Sequence, residues 1–482
     1  MTSALRPADL TAPGAVAADL SAPDGLPPAA RRRAMFVIIL GMTLSVLDGS
    51  ILNLALPSIA HDLGTDAVSS IWIVNAYQVA TLGLLLPLAT LGDTVGYRRV
   101  YLGGLALFTA ASVGCILAQT LGQLVAARAV QGVGAAGMMG VNAAMVRLVY
   151  PRKLLGRGVA INSVVVATAS VAGPTVAAAV LSVTSWPWLF AINIPLGILV
   201  LLGGRALPRN TAKAAGARLS AVDVLLNMLM FGLVFLGADA LGTRTAGTTG
   251  SGSAASGVAL LAAGLAVGFF YLRRQSRLPL PLFPVDLLRI PVFALSMCTS
   301  VAAFAAQMLS YIALPFLLLG SYGRSHLAAG LLITAWPLAI VAIAPVAGRL
   351  IGRVPDGLLG GIGLGILATG LALMAALPAQ PSDIDVVWRM AMCGIGFGLF
   401  QSPNNHTIVT TPPAHRSGGA SGMLGTARLT GQTLGAVLLA VVFSVAPPGG
   451  GRGPIVALGL AALLAAGAGV FSLLRLRHKK AA

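Results

Sequence analysis

The sequence predicts an all-α polytopic membrane protein, and three observations carry that assignment. Of 482 residues, 57% are hydrophobic and 9% charged, with a mean hydropathy of +0.90. A water-soluble chain of this length could not cover so much apolar surface. The apolar residues gather into fourteen segments, most of them close to the ~20 residues a helix needs to cross a ~30 Å hydrocarbon core. The basic residues between these segments fall on one side. A lipid-exposed backbone must satisfy its own hydrogen bonds, so the segments are predicted as helices. A membrane β-barrel predicts short alternating segments instead, and none is evident.

Taken in order, residues 1–34 are rich in Ala, Pro and Asp and read as a disordered cytoplasmic tail. The run Arg31-Arg32-Arg33 precedes an apolar stretch too long for a signal-peptide core, so that stretch reads as an uncleaved first helix. The segments are roughly 35–57, 72–91, 100–118, 122–146, 159–182, 188–204, 222–242, 256–272, 292–319, 327–349, 357–377, 386–408, 419–444 and 454–474. The polar, basic stretch after residue 204 and the Pro-rich stretch before 291 suggest a 6 + 2 + 6 plan. Residues 35–204 would form one six-helix bundle, 205–290 a linker with two inserted helices, 291–474 a second bundle, and 475–482 a basic cytoplasmic tail. With the N-terminus inside, 25 basic residues fall on the cytoplasmic side and 4 on the other. That asymmetry predicts an N-in, C-in topology.

The net charge of +18 does not indicate nucleic acid, because the basic residues are scattered between apolar segments rather than gathered on one face. Cys115, Cys298 and Cys393 are isolated, without ligand spacing, and read as small buried hydrophobes. His61, His326, His406, His415 and His478 map to loops or segment ends and read as incidental. No catalytic constellation, metal site or nucleotide-binding loop is evident, so neither an enzyme nor ATP-driven transport is expected. A membrane-embedded enzyme or sensor would need a catalytic cluster or a sizeable soluble domain, and the loops are short.

Asp48, Arg128 and Arg428 lie deep inside segments, and the first two are opposite in sign. Asp48 is ~20 Å from the cytoplasmic start of the first segment at 1.5 Å per residue. Arg128 lies at ~21 Å by the same reckoning in a ~30 Å core. Opposite charges at one depth invite pairing, because each alone is costly in lipid. The expectation is a proton-coupling pair: Asp48 holds a proton in a dry site far from Arg128 and releases it when Arg128, water or substrate approaches. A static pair that orients two helices is the alternative. The chain contains no Glu, and the second half shows no mid-membrane acid: Asp383 and Asp385 fall at an outer end. Asp48 would then serve both the proton and a cationic substrate in competition. Dications are expected to be poor substrates.

Several motifs resemble the major facilitator superfamily. Leu91-Gly92-Asp93-Thr94-Val95-Gly96-Tyr97-Arg98-Arg99 is similar to its loop 2–3 signature, with Ala89 and Tyr97 as departures. Gly96 permits the turn, and Asp93 can pair with Arg98, Arg99 or a facing helix N-terminus. Arg128-Ala129-Val130-Gln131-Gly132 looks like the R-x-x-Q-G signature of the fourth helix. Gly173-Pro174-Thr175-Val176-Ala177-Ala178 is similar to the antiporter signature G-P-x-x-G-G, with two alanines in place of glycines. Leu47–Pro57, Trp186–Gly197 and Gly422–Arg428 resemble segments of the 14-helix drug:proton antiporter branch (EmrB/QacA-type). The resemblance spans residues 35 to 474.

It implies a major facilitator fold and proton-driven export of lipophilic compounds by alternating access, with the proton gradient in place of a cofactor. Asp93, Gly96, Arg98, Arg99, Gly173 and Pro174 would be gate or conformational residues. Polar and aromatic residues at depth are the expected cavity wall: Asn53, Tyr77, Gln78, Gln131, Asn142, Gln307, Tyr311, Trp336, Gln401, Asn404 and Arg428. The expected partners are protons, the lipid bilayer and a lipophilic small molecule, monocationic or neutral. The expected location is the bacterial cytoplasmic (inner) membrane, as a monomer, with a periplasmic adaptor and outer-membrane channel allowed but not required. The alternative is a dedicated exporter of one metabolite or antibiotic. Uptake by symport is disfavoured by the Gly173-Pro174 motif.

Overall fold

The computed structural model describes residues 25–209, 220–244, 254–278, 281–412, 417–448 and 451–479. Helix occupies every predicted segment, and no β-strand occurs among the described residues. In chain order these are α1 (Pro28–Asp62), α2 (Trp72–Val95), α3 (Tyr97–Leu117), α4 (Leu121–Val149), α5 (Leu155–Val183) and α6 (Asn193–Gly203), the last preceded by a short helix, Pro187–Ala191. Then come α7 (Ala221–Arg244), α8 (Ala254–Gln275), α9 (Pro291–Pro315), α10 (His326–Leu350), α11 (Asp356–Ala375), α12 (Asp383–Thr410), α13 (Ser417–Val445) and α14 (Arg452–Lys479). Among the described residues twelve helices are long and apolar enough to cross a membrane. The other two are α5, whose apolar part among the described residues is Ala172–Val183, and α12, whose run Gln401-Ser402-Pro403-Asn404-Asn405-His406 lowers its hydropathy.

Local chemistry explains where helices begin. Thr120, Ser325 and Ser382 each accept a backbone N–H through the side chain and cap α4, α10 and α12. Gly96, at φ +107°, makes the corner between α2 and α3, a conformation that L side chains rarely adopt. The chain ends differ from expectation. Residues 28–34, read as disordered tail, open α1, because Pro28 at the first turn is followed by the helix formers Ala and Arg. Helix α14 likewise runs through 475–479, and Arg475 is only 3% exposed rather than a tail charge. Residues 1–24 and the linker stretch 210–219 lie outside the described residues.

The two sets of six helices pack by the same scheme. α1 packs on α5, and α4 on both α2 and α3; correspondingly α9 packs on α13, and α12 on both α10 and α11. α6 lies on α1 and α3 as α14 lies on α9 and α11. Small residues permit the closest of these approaches. A Cβ on Gly134 would stand 2.5 Å from the Phe108 nitrogen, and one on Gly363 would stand 2.6 Å from the Gly396 oxygen. The two sets meet along α5 against α10 and α2 against α13. α7 and α8 pair with each other, and α7 rests on α2 and α13. Trp72 Nε1 donates to Asp239 at 2.9 Å and Asn227 Nδ2 to the Gly83 oxygen at 2.7 Å, which fixes α7 to α2.

One apolar core joins the sets near the far ends of α1 and α9, with Leu54, Ile59, Met308, Ile312, Phe316 and Ile333 in contact. A Ser58–His326 hydrogen bond of 2.7 Å and a Thr175–Thr334 bond of 2.8 Å cross the same interface. His326, read as incidental, therefore bridges the two sets. Between this core and the face that carries both described chain ends, the sets enclose a cavity.

Candidate functional site

The cavity has a volume of about 680 Å³, within the range that holds drug-sized ligands. Its closed end lies at Leu54, Val74, Tyr311 and Ile333; toward the face of the chain ends it is bounded by Met42, Asn162, Ala344 and Asn405. Helix polarity follows from the alternation of spans. α1 and α9 enter from the face of the chain ends and α10 and α12 from the other. The lining thus runs through the middle of α1, α4, α10, α12 and α13, and reaches Val74 near the start of α2 and Pro315 at the end of α9.

Behind its wall lies a buried polar network. Arg128 Nη1 donates to Asp48 Oδ2 at 2.6 Å and to Gln131 Oε1 at 2.6 Å. Gln131 Nε2 donates to Asp48 Oδ1 at 3.1 Å and to Ser112 Oγ at 2.9 Å. Asn193 Nδ2 completes it, donating to Asp48 Oδ1 at 2.8 Å. Arg128 Nε reaches the Ile73 carbonyl oxygen at 3.2 Å, and its guanidinium lies 4.3 Å from the Tyr77 ring centre. Asp48 is 5% exposed and Arg128 1%. Every contact uses the carboxylate as an acceptor, the role an ionised Asp plays. Removing one partner of such a pair typically costs ~3–5 kcal/mol, since a buried charge is left alone.

The two charges differ in their relation to the cavity. Arg128 lines it and Asp48 does not. The Asp48 carboxylate turns toward α4 and α6, where Arg128, Gln131 and Asn193 hold it, and Ser112 of α3 accepts from the two amides. The expectation that Asp48 meets a cationic substrate directly is therefore corrected, and with it the basis for preferring monocations. No carboxylate lines the cavity among the described residues.

Of the expected wall residues, Asn53, Tyr77, Gln78, Gln307, Tyr311, Gln401 and Arg428 line the cavity. Four do not. Gln131 belongs to the Asp48 network, and Asn142 donates to Asn162 at 3.4 Å. Trp336 is fully buried edge-on against Tyr311 at 5.0 Å. Asn404 bonds Ser300 at 2.7 Å and Arg475 at 2.8 Å in a second buried network. Sequence reasoning missed Asn193 and Ser112 behind the wall, and Asn162, Asn405 and Gln432 on it. The Asn193 motif position was visible in the Trp186–Gly197 segment, but its direction was not.

The gate residues are placed as follows. The Tyr97 hydroxyl donates to the Asp93 carboxylate, and among the described residues neither Arg98 nor Arg99 forms an ion pair with it. The expected arginine pairing is thus replaced by a phenol one turn away. Arg99 instead reaches the Val95 carbonyl at 3.3 Å. Gly173 packs on α1: a Cβ there would lie 2.0 Å from Ser50 Oγ. Pro174 lines the cavity, and its carbonyl faces Gly330 of α10. Cys115 and Cys393 are buried, whereas Cys298 is exposed on the outside of α9, contrary to the reading of all three as buried. His406 bonds Asp356 at 2.8 Å; His415 and the His478 side chain lie outside the described residues. Among the described residues no cluster suited to a metal ion occurs.

A helical membrane protein with paired six-helix sets around a central cavity defines a solute transporter of the alternating-access kind. The chain matches the Major Facilitator Superfamily over residues 38–436, and it belongs to that family. It is 50% identical to the uncharacterized transporter YebQ of Escherichia coli (strain K12) over 458 residues, 95% of this chain and 98% of that protein. It is 30% identical to the riboflavin transporter RibZ of Clostridioides difficile (strain 630), over 85% of this chain and 88% of that protein. It is 29% identical to the multidrug resistance protein Stp of Mycobacterium tuberculosis (strain CDC 1551 / Oshkosh), over 84% of this chain and 74% of that protein.

Proposed function

We propose that this transporter exports lipophilic small molecules from the cytoplasm in exchange for protons, as a multi-pass protein of the bacterial cytoplasmic membrane. One observation carries the reading: Arg128 presents one side to the cavity and holds the carboxylate of Asp48 on the other. Once solute has left on the far side, movement of Arg128 away from Asp48 ends its hold on the carboxylate. The freed carboxylate then accepts a proton, because an unpaired buried charge is costly. Return of Arg128 expels the proton. Proton occupancy and cavity occupancy are thereby coupled without direct contact between Asp48 and substrate.

The face of the chain ends is the cytoplasmic side by the 25-to-4 distribution of basic residues, and the apolar core that joins the two sets lies toward the other face. That orientation supports loading from the cytoplasm. The far face is closed by the Leu54–Ile333 core and the Ser58–His326 bond. The multidrug name of the Stp relative supports a broad substrate range, and the riboflavin name of RibZ supports the narrower alternative of one metabolite.

The test is a growth-inhibition and efflux panel of chemically distinct compounds in a pump-deficient host, with and without a protonophore. Protection should vanish with the protonophore. Asp48→Asn should abolish protonophore-sensitive export while equilibrium binding to the purified protein persists. Undiminished proton-driven efflux in Asp48→Asn would remove the coupling role. Protection against a single compound would select the dedicated exporter.

A further inference from the structure

We infer that Arg428 is the substrate anchor and that the favoured substrate is a lipophilic monoanion, such as an aromatic carboxylate, phenolate or sulfonate. The inference rests on the reading of the cavity as the transport site. Two arginines line the cavity, and they are not equivalent. The charge of Arg128 is met by Asp48 at 2.6 Å. Arg428 forms no ion pair among the described residues, and its Nε is buried without a hydrogen-bond partner. Its guanidinium carbon lies 5.7 Å from the centre of the Phe304 ring.

The rest of the lining offers nothing to neutralise it. The chain has no Glu, and no Asp lines the cavity among the described residues. A guanidinium left unpaired in a secluded site is costly unless a ligand completes it. Its planar fork matches carboxylate or sulfonate oxygens through two parallel hydrogen bonds, which a spherical cation or a neutral hydrocarbon cannot use. The wall mixes uncharged polar side chains with apolar ones, among the latter Met42, Met139, Met308, Phe304 and Phe397. Thioether side chains adapt to varied shapes, so the anion is expected to carry a hydrophobic body. One uncompensated cation among the described lining residues fits one negative charge. A cationic ligand would meet Arg428 without a counter-charge.

The probes are a matched pair, 1-anilinonaphthalene-8-sulfonate and N-phenyl-1-naphthylamine, which differ only in the sulfonate. Displaceable fluorescence binding is measured on purified full-length protein in lipid nanodiscs without a proton gradient, using empty nanodiscs as blank. The sulfonate should bind more tightly than the neutral amine. Arg428→Gln should weaken the sulfonate by roughly ten- to a hundred-fold while leaving the neutral amine unchanged. Arg428→Lys should recover part of the loss. Unchanged binding of the amine shows that the variant is folded. Equal affinity for the two probes, equal weakening of both in Arg428→Gln, or tighter binding of the cation ethidium would each overturn the anchor. So would absence of displaceable binding. None of these results bears on proton coupling, because no gradient is present; that reading stands or falls on the Asp48→Asn efflux measurement.

Discussion

Asp48 and Arg128 show which part of a site a sequence discloses. Both were legible because a charge within an apolar segment is expensive wherever it points. Their depths could be compared from helix rise alone, and the ion pair at 2.6 Å joins two residues eighty positions apart. Asn193 and Ser112 were not legible as site residues. An uncharged polar side chain within a helix carries no comparable penalty signal, and its partner depends on how the helices are rotated against one another. The same ambiguity placed Asp48 on the cavity wall, whereas the packing of α1 turns it toward α6. A prediction follows from the missed residue. Asn193 Nδ2 supplies one of the donors to Asp48 Oδ1, at 2.8 Å. Asn193→Ala should lower stability by ~1.5–3 kcal/mol, the range for a hydrogen bond to a charged group. The loss should appear as a lower unfolding midpoint in detergent. In the Asp48→Asn background the same substitution should cost less, because the charge it serves is gone. Equal losses in both backgrounds would mean that Asn193 acts only through packing.

Helices were far more legible than the contacts between them. Apolar length located all fourteen segments to within a few residues at most ends, and the charges between them fit one facing. The errors came where a charged residue lies inside a helix end. Arg475 read as part of a solvated tail, yet it is buried against Ser296 of α9 and Asn404 of α12, far away in sequence. The Gly173-Pro174 motif suggested close packing without naming the partners, which are Ser50 of α1 and Gly330 of α10. The second contact joins the two helix sets, where alternating access requires sliding or separation. A Cβ on Gly330 would stand 2.3 Å from the Ala178 Cβ and 2.8 Å from the Pro174 carbonyl oxygen. Gly330→Ala should therefore force α5 and α10 apart and weaken closure of the far face. A cysteine introduced at Ile333 should then react faster with a membrane-impermeant thiol reagent added from that face. Ala178→Gly, which places glycine where the resembling antiporter signature has one, should restore much of the protection. Unchanged labelling in Gly330→Ala would show that the interface absorbs a methyl group by local relaxation.

For the whole molecule, cavity charge and proton coupling together set how transport senses voltage. Exchange of one neutral molecule for one proton moves a single charge inward. Exchange of one monoanion for one proton moves two in the same sense, since an anion leaving and a proton arriving are electrically alike. A potential of 100 mV is worth about 2.3 kcal/mol per charge, or roughly fifty-fold in a steady-state concentration ratio. Asp48 lies behind the cavity wall rather than in the lining, so the proton and the anion on Arg428 need not displace each other. Both charges can therefore contribute in one cycle. In proteoliposomes with a fixed pH gradient, collapsing the potential with valinomycin and potassium should reduce accumulation of the naphthalene sulfonate far more than that of the neutral amine. The excess should approach one further factor of roughly fifty for each 100 mV removed. Arg428→Gln should slow sulfonate transport without altering this voltage dependence, because the charge that moves belongs to the substrate and the proton. Equal losses for the two probes would mean that the sulfonate crosses protonated or with a second proton. The site would then bind an anion without exporting its charge.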